Sequence, residues 1–168
     1  MIGVQGLHSG GEPSLPQLTR EGGWLLCRQT GWRVALPVNQ VIETMRPLPL
    51  EPVSGMPSFV LGLAIVRGAP VPAVDVGILL GRDRQTARRW VTVRAGERSV
   101  ALAVESVEGV RDLPESSFDA VPPLLRAASE NVVAAIGTLD VQLLVALEGT
   151  RLFTDEQWLA LAAQARPR

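Results

Sequence analysis

The sequence contains no lysine: all sixteen basic residues of its 168 are arginine. That excludes a Schiff-base or phosphate-loop lysine outright. The single histidine, His8, lies in a Gly-rich stretch near the start, so the commonest general base and metal ligand is missing from the part that reads as folded. The one cysteine, Cys27, can form neither an internal disulfide nor a thiolate zinc cage, and it suits a reducing compartment. No apolar run reaches the roughly 18 residues of a membrane span, so direct membrane insertion is not expected. The opening MIGVQGLHSGGEPS has neither the basic flank nor the continuous apolar core of a secretion signal. Sixteen basic residues against seventeen acidic ones leave a net charge of -1, which gives no general basic surface for nucleic acid. These absences describe a cytoplasmic protein with poor equipment for catalysis and no expected cofactor or metal.

What is present is an ordinary globular composition, 46% apolar and 20% charged. A chain of this length buries about 70% of its unfolded surface and needs no staple. Residues 1–22, with seven Gly or Pro and no periodicity, read as a flexible tail, and residues 23–165 as a single domain.

From Trp24 the chain reads as short strands between turns. Trp24 to Arg28 and Trp32 to Pro37 flank the hairpin signal Gln29-Thr30-Gly31, and Val41 to Met45 follows. Met56 to Phe59 reads as a short helical turn with Pro57 at its first position. Gly62 to Val66 and Val71 to Val76 pair across Arg67-Gly68; Val91 to Arg94 and Ser99 to Val104 pair across Ala95-Gly96-Glu97. In the latter strand Val100, Leu102 and Val104 alternate with Ala101, Ala103 and Glu105, the period of a sheet with one buried face. Val132 to Leu139 and Val141 to Leu147 turn at Asp140. Thr154-Asp155-Glu156-Gln157 has capping-box form and opens a helix over 154–165, with Trp158, Leu159, Leu161, Ala162 and Ala165 as its apolar stripe.

An internal repeat organises this list. WLLCRQTGWRVALPVNQV from Trp24 and WVTVRAGERSVALAVESV from Trp90 agree at seven of eighteen positions, where chance gives roughly one. The hairpin at Arg67-Gly68 has a looser counterpart at Leu139-Asp140. Two similar β lobes follow, over roughly 24–80 and 88–150, each curled into a small barrel to hide its edges. A single sandwich of similar hairpins is the alternative.

Few residues could carry chemistry. Asp75 closes an apolar strand and suits a cap on the turn Val76 to Leu80; Glu105 ends the matching strand. Cys27 sits in an apolar strand as a buried, inert thiol. By alternation Glu43 faces solvent, with Ile42 turned the other way. Arg67 stands at a tight turn before Gly68, where its planar fork could anchor a partner carboxylate or Glu43. Arg82-Asp83-Arg84 with Arg88-Arg89 reads as a solvated linker between the lobes. Composition and spacing lead to a two-lobed β-rich binding module; a small-ligand-binding barrel, or a hydrolase using Asp75 and Glu105, is the rival from another class.

The segment Gly62 to Asp75, GLAIVRGAPVPAVD, resembles the CheW-like family of chemotaxis coupling proteins, which typically runs G-(apolar)-N-L-R-G-x-(apolar)-(apolar)-P-V-V-D-L. The flanks are similar from Trp24 to Ala163. The resemblance implies a mainly β fold of two pseudo-repeated five-stranded SH3-like barrels with short helices and a C-terminal helix. It implies a non-enzymatic adaptor that joins the cytoplasmic tips of chemoreceptors to the regulatory domain of a CheA-type histidine kinase, cytoplasmic but recruited to membrane-associated arrays. A CheW-like scaffold of a non-flagellar pathway serving pili, surface motility or a second messenger is the alternative output. By motif position Glu43, Arg67 and Gly68 match residues the family uses for partner binding, and Val41 is the apolar candidate beside them. Departures are Ile65-Val66 for the usual Asn-Leu, Val76-Gly77 for Leu-Arg and Val104-Glu105 for Val-Asp; they bear on which receptor or kinase is recognised. Nothing beyond the C-terminal helix suggests a fused receiver domain, which favours a free-standing coupling protein.

Overall fold

The computed structural model describes residues 23–29, 31–84, 86–114, 117–119, 133–140, 142–148 and 151–165. The expected tail with His8, and Val132 and Val141 of the last strand pair, lie outside the described residues. In chain order the elements are β1 (Trp24–Gln29), β2 (Trp32–Pro37), β3 (Val41–Met45), β4 (Val60–Val66), β5 (Ala69–Asp75), α1 (Val76–Leu79) and β6 (Arg89–Ala95). They continue with β7 (Arg98–Val104), β8 (Ser106–Arg111), β9 (Phe118–Asp119), β10 (Val133–Leu139), β11 (Gln142–Leu147) and α2 (Asp155–Gln164). The segment Met56 to Phe59 is not helical. Val60 N–H donates to the Pro57 carbonyl at 3.0 Å, and β4 begins there, which leaves room for a tight turn and no helix.

The strands form two sheets, ordered β8-β1-β2-β11-β10-β9 and β3-β6-β7-β5-β4. The halves 24–80 and 88–150 do not close on themselves. Hairpin β1–β2 from the first half is inserted into strands of the second, and β6–β7 from the second half into strands of the first. Replacing β1, β2, β3, β4 and β5 by β6, β7, β8, β10 and β11 and the reverse turns one order into the other, apart from β9 at the edge of the larger sheet, so the repeat is a pseudo-symmetry of the fold. β2 meets β11, and β7 meets β5, in parallel; the other pairs are antiparallel.

This exchange explains which residues the repeat keeps. A shared core between the sheets takes Val34 and Leu36 from one hairpin and Val100 and Leu102 from the other. The opposite faces fill separate cores, Trp24, Leu26 and Ala35 in one lobe and Trp90, Ala101 and Ala103 in the other. Trp24 stacks at 5.0 Å on Phe118 in its own lobe. Ala101 and Ala103 are therefore buried as fully as Val100 and Leu102, and β7 is covered on both faces where alternation suggested one. Strands covered on both sides read as near-continuous apolar runs, which hides the period.

Short polar fittings fix the ends. The Asp75 carboxylate accepts the Ile78 N–H at 3.0 Å and caps α1, as its position suggested. Glu51 exchanges two backbone hydrogen bonds with Leu63 of edge strand β4, 2.7 and 2.8 Å long. That approach requires Gly62, since a Cβ there would lie 2.5 Å from the Glu51 carbonyl. At α2 the capping box is complete: Gln157 N–H donates to Thr154 Oγ1 at 3.2 Å, and Thr154 N–H to Gln157 Oε1 at 2.9 Å. The helix docks through Trp158, Leu161 and Ala165; Ala162 lies on the same side but stays exposed, whereas Leu159 of the expected stripe faces outward. Gln164 locks its far end by bonding both Ser54 N–H and Ser54 C=O.

Because Trp24 and Trp90 each fill a separate lobe, Trp90→Ala should destabilise the protein by about 3–5 kcal/mol, and Trp24→Ala by a similar amount. Chemical denaturation of the two variants checks this; a nearly neutral Trp90→Ala would show that its lobe needs no such filling.

Candidate partner-binding site

The β4–β5 turn consists of Arg67 and Gly68, with Val66 paired to Ala69. Both turn residues have positive φ, 51° and 82°, as a two-residue hairpin of this twist demands. Gly68 adopts that conformation freely. Arg67 does so at a cost of roughly 1 kcal/mol, where Asn or Gly would fit better.

The Arg67 side chain reaches β3, where its Nε lies 3.0 and 3.1 Å from the two Glu43 carboxylate oxygens and its Nη2 donates to Oε2. β3 and β4 are the opposite edges of the five-stranded sheet. In a flat sheet those edges stand roughly 19 Å apart, so the bidentate pair shows that the sheet curls and brings its edges together. Glu43 does not stand free in solvent. Its side chain is 23% exposed against 76% for Arg67, while Ile42 turns outward at 42%. β3 alternates without a break, with Val41, Glu43 and Met45 half-buried and Ile42 and Thr44 exposed, the opposite phase to the one expected from an inward Ile42. Val41 is half-buried, pairs with Val93 and packs on the shared core, so it supports β3 more than it offers a contact. The structure thus joins Glu43 to Arg67 and Gly68 and leaves Val41 beneath them.

Apolar surface adjoins the tip. Ile65, two residues before Arg67, is 62% exposed. Pro70 and Pro72 have no N–H to give, and the parallel β5–β7 ladder starts only at Ala73. The gap forms a cavity of about 280 Å³ floored by these prolines and walled by Trp158 and Ala165 of α2. Arg98 lies over the Trp158 ring at 4.9 Å and steadies that wall.

The other lobe carries a counterpart that sequence reasoning missed. Asp140, at the β10–β11 turn with φ 50°, receives Arg33 Nη1 at 3.1 Å and lies 3.6 Å from Arg111 of edge strand β8. Glu108 then bridges Arg33 and Arg28. The signal was the repeat itself, which set Leu139-Asp140 against Arg67-Gly68; three arginines scattered over β1, β2 and β8 gave no local pattern.

Asp75 is buried and engaged as a cap, and Glu105 donates its N–H to Gln29 Oε1 at 2.8 Å, joining β7 to β1. Arg82 of the linker stacks 4.7 Å over Trp32. Among the described residues no group of three His, Cys, Asp or Glu could hold a metal ion, and no helix is long and apolar enough to cross a membrane.

Two titrations follow. The hydrogen bond from Arg67 lowers the Glu43 carboxyl below its usual value, against partial desolvation and with help from the guanidinium charge. The pair is therefore intact at neutral pH and is lost only as pH falls through that depressed value. In Arg67→Ala the Glu43 midpoint should rise, read by carbon NMR of the carboxylate; an unmoved midpoint would mean the pair does not form in solution. Burial, with the Glu108 charge adding, pushes the Cys27 thiol up to about 12. Cys27 should stay unreactive toward a thiol reagent until the protein unfolds, and prompt native labelling would contradict its burial.

Comparison with known proteins bears on the fold and the family. The crystal structure of the scaffolding protein TtCheW from Thermoanaerobacter tengcongensis is similar at a TM-score of 0.65 and 18% identity, over 78% of this chain and 97% of that one. A family profile described as a CheW-like domain matches residues 23–157, from the glycine before β1 into α2. It takes in both exchanged hairpins and the Glu43–Arg67 pair, and the chain belongs to the CheW-like domain family.

Proposed function

We propose that this chain is a non-enzymatic adaptor that couples the cytoplasmic tips of chemoreceptors to the regulatory domain of a CheA-type histidine kinase. The reading rests on family membership together with one observation: a guanidinium held at a hairpin tip, in a backbone conformation that arginine disfavours, beside exposed apolar surface. Unfavourable backbone retained at an exposed tip points to a role outside the fold.

In this reading the Arg67 tip, with Glu43, Gly68 and the flank at Ile65, meets the receptor. Apolar strand surface of a lobe meets the kinase domain. No bond chemistry is involved. The adaptor works by binding one state of the assembly better than another, so a receptor's state biases the kinase through differential contacts. Each contact falls at the small end of specific interfaces, about 1,200 Å² or less, and repetition in an array at the membrane supplies the avidity. The protein is then cytoplasmic in itself and held at the membrane by its partners.

Arg67→Ala should weaken capture of a receptor-tip fragment by roughly tenfold or more while leaving the melting temperature close to that of the parent. Titration calorimetry with paired thermal melts measures both. Undiminished receptor binding by a folded variant would remove Arg67 from the interface.

A further inference from the structure

Arg28, Arg33, Arg67, Arg111 and Arg151 each lie against a carboxylate. Arg46, Arg84, Arg88 and Arg89 are exposed and have no such partner among the described residues. These unpaired arginines gather at one end of the five-stranded sheet. The β3–β6 ladder closes with Met45 opposite Trp90, so Arg46 and Arg89 are the next residues on the two antiparallel chains. Arg89 pairs in turn with Val104 of β7, and Arg88 N–H donates to the Val104 carbonyl at 3.2 Å. The linker returns to the same end: Arg82 N–H donates to the Gly77 carbonyl of α1 at 2.8 Å, and its guanidinium is stacked on Trp32. The β4–β5 tip lies at the other end of the sheet, roughly 20 Å away along the seven residues of β5.

Nothing in the fold calls for this grouping. Like charges set opposite one another on neighbouring strands destabilise a sheet. The acidic residues alongside, Asp83 and Glu105, are two against five arginines, in a chain whose net charge is -1. We infer that this sheet end docks an acidic, extended polypeptide segment, with Arg46 and Arg89 as its central contacts. Guanidinium forks match carboxylates in shape as well as charge, and a row of them suits a run of Asp or Glu. Arg82, already held flat on Trp32, gives up less freedom on binding than a loose side chain. Single-stranded nucleic acid fits less well, because its bases stack on aromatic faces and no aromatic side chain is exposed among the described residues. An anionic bilayer also fits less well, since firm attachment adds apolar insertion to charge. The most exposed large apolar side chains, Ile65 and Leu159, stand toward the tip and on α2 instead. The surface is separate from Arg67 and does not depend on the reading of that tip.

The experiment measures binding of a fluorescein-labelled oligoglutamate peptide to the full chain by anisotropy, at low and at physiological salt, with melting temperatures. Two variants lose the same charge: Arg46→Gln with Arg89→Gln, and Arg94→Gln with Arg151→Gln. The parent should bind, and more weakly as salt rises. The first variant should bind about five- to tenfold more weakly, yet melt no lower than the parent, because a like-charge contact is relieved. The second should bind as the parent does. No binding by the parent at low salt would overturn the inference, as would parent-like binding by the first variant. Equal losses in the two variants would reduce the effect to net charge and overturn it as well. A lower melting temperature for the first variant would contradict the repulsion from which the surface is read. Tighter binding of phosphatidylglycerol vesicles or of single-stranded RNA than of the peptide, lost in the same variant, would overturn the choice of an acidic polypeptide.

Discussion

A strand covered on both faces can carry charge only where it emerges, and four strands of this protein are in that position. In β1, β2, β6 and β7 every residue is buried or nearly so except the arginines at or near the ends, Arg28, Arg33, Arg89, Arg94 and Arg98, and half-buried Ser99. The exchange of hairpins between halves produces this, because each inserted pair is covered by its own lobe on one side and by the shared core on the other. Burial on that scale is the main source of stability, since each large apolar side chain removed from water contributes about 1.5–3 kcal/mol. It also makes the lobes inseparable: neither sheet can form from one half of the sequence.

Recognition chemistry is consequently pushed to rims, edges and turn tips. Among the described residues, the two non-glycine residues of positive φ, Arg67 and Asp140, are both tip residues, at pseudo-equivalent places and of opposite charge. The Arg67–Glu43 pair draws the outer strands of one sheet together, Asp140 ties the β10–β11 tip to Arg33 of β2 and Arg111 of edge strand β8, and each holds a charged group in a fixed pose. Exposed ion pairs add little to stability, so their use lies in geometry. A molecule with an arginine on one lobe's tip and an aspartate on the other's has two distinguishable ends, which suits the proposed role between two different partners.

Much of this was legible in the sequence, and the failures have physical causes. Most strand positions, though not β8 or β9, the Arg67-Gly68 turn, the Asp75 cap and the α2 capping box were readable because each depends on local rules of period, turn geometry or hydrogen bonding. The repeat announced two related lobes, but local rules carry no information about which strands pair across a long connection, and the exchange of hairpins went unread. The same exchange misled the assignment of faces on β7, whose second buried face is lined by small alanines. Glu43 reads as outward because apolar Ile42 suits the inner face, whereas β3 adopts the opposite phase and turns Ile42 to solvent. The partnership of Arg67 with Glu43 was foreseen as one of two anchors. The Arg33–Asp140 pair, built from residues more than a hundred positions apart, was not.

The central claim is that this chain is a physical bridge between a receptor and a kinase. The most direct measurement sediments receptor-bearing membranes with a CheA-type kinase, with and without this protein. The account predicts that the kinase enters the pellet only when the chain is present, and in proportion to it until sites saturate. Equal sedimentation of the kinase in its absence, or none in its presence, would contradict the account.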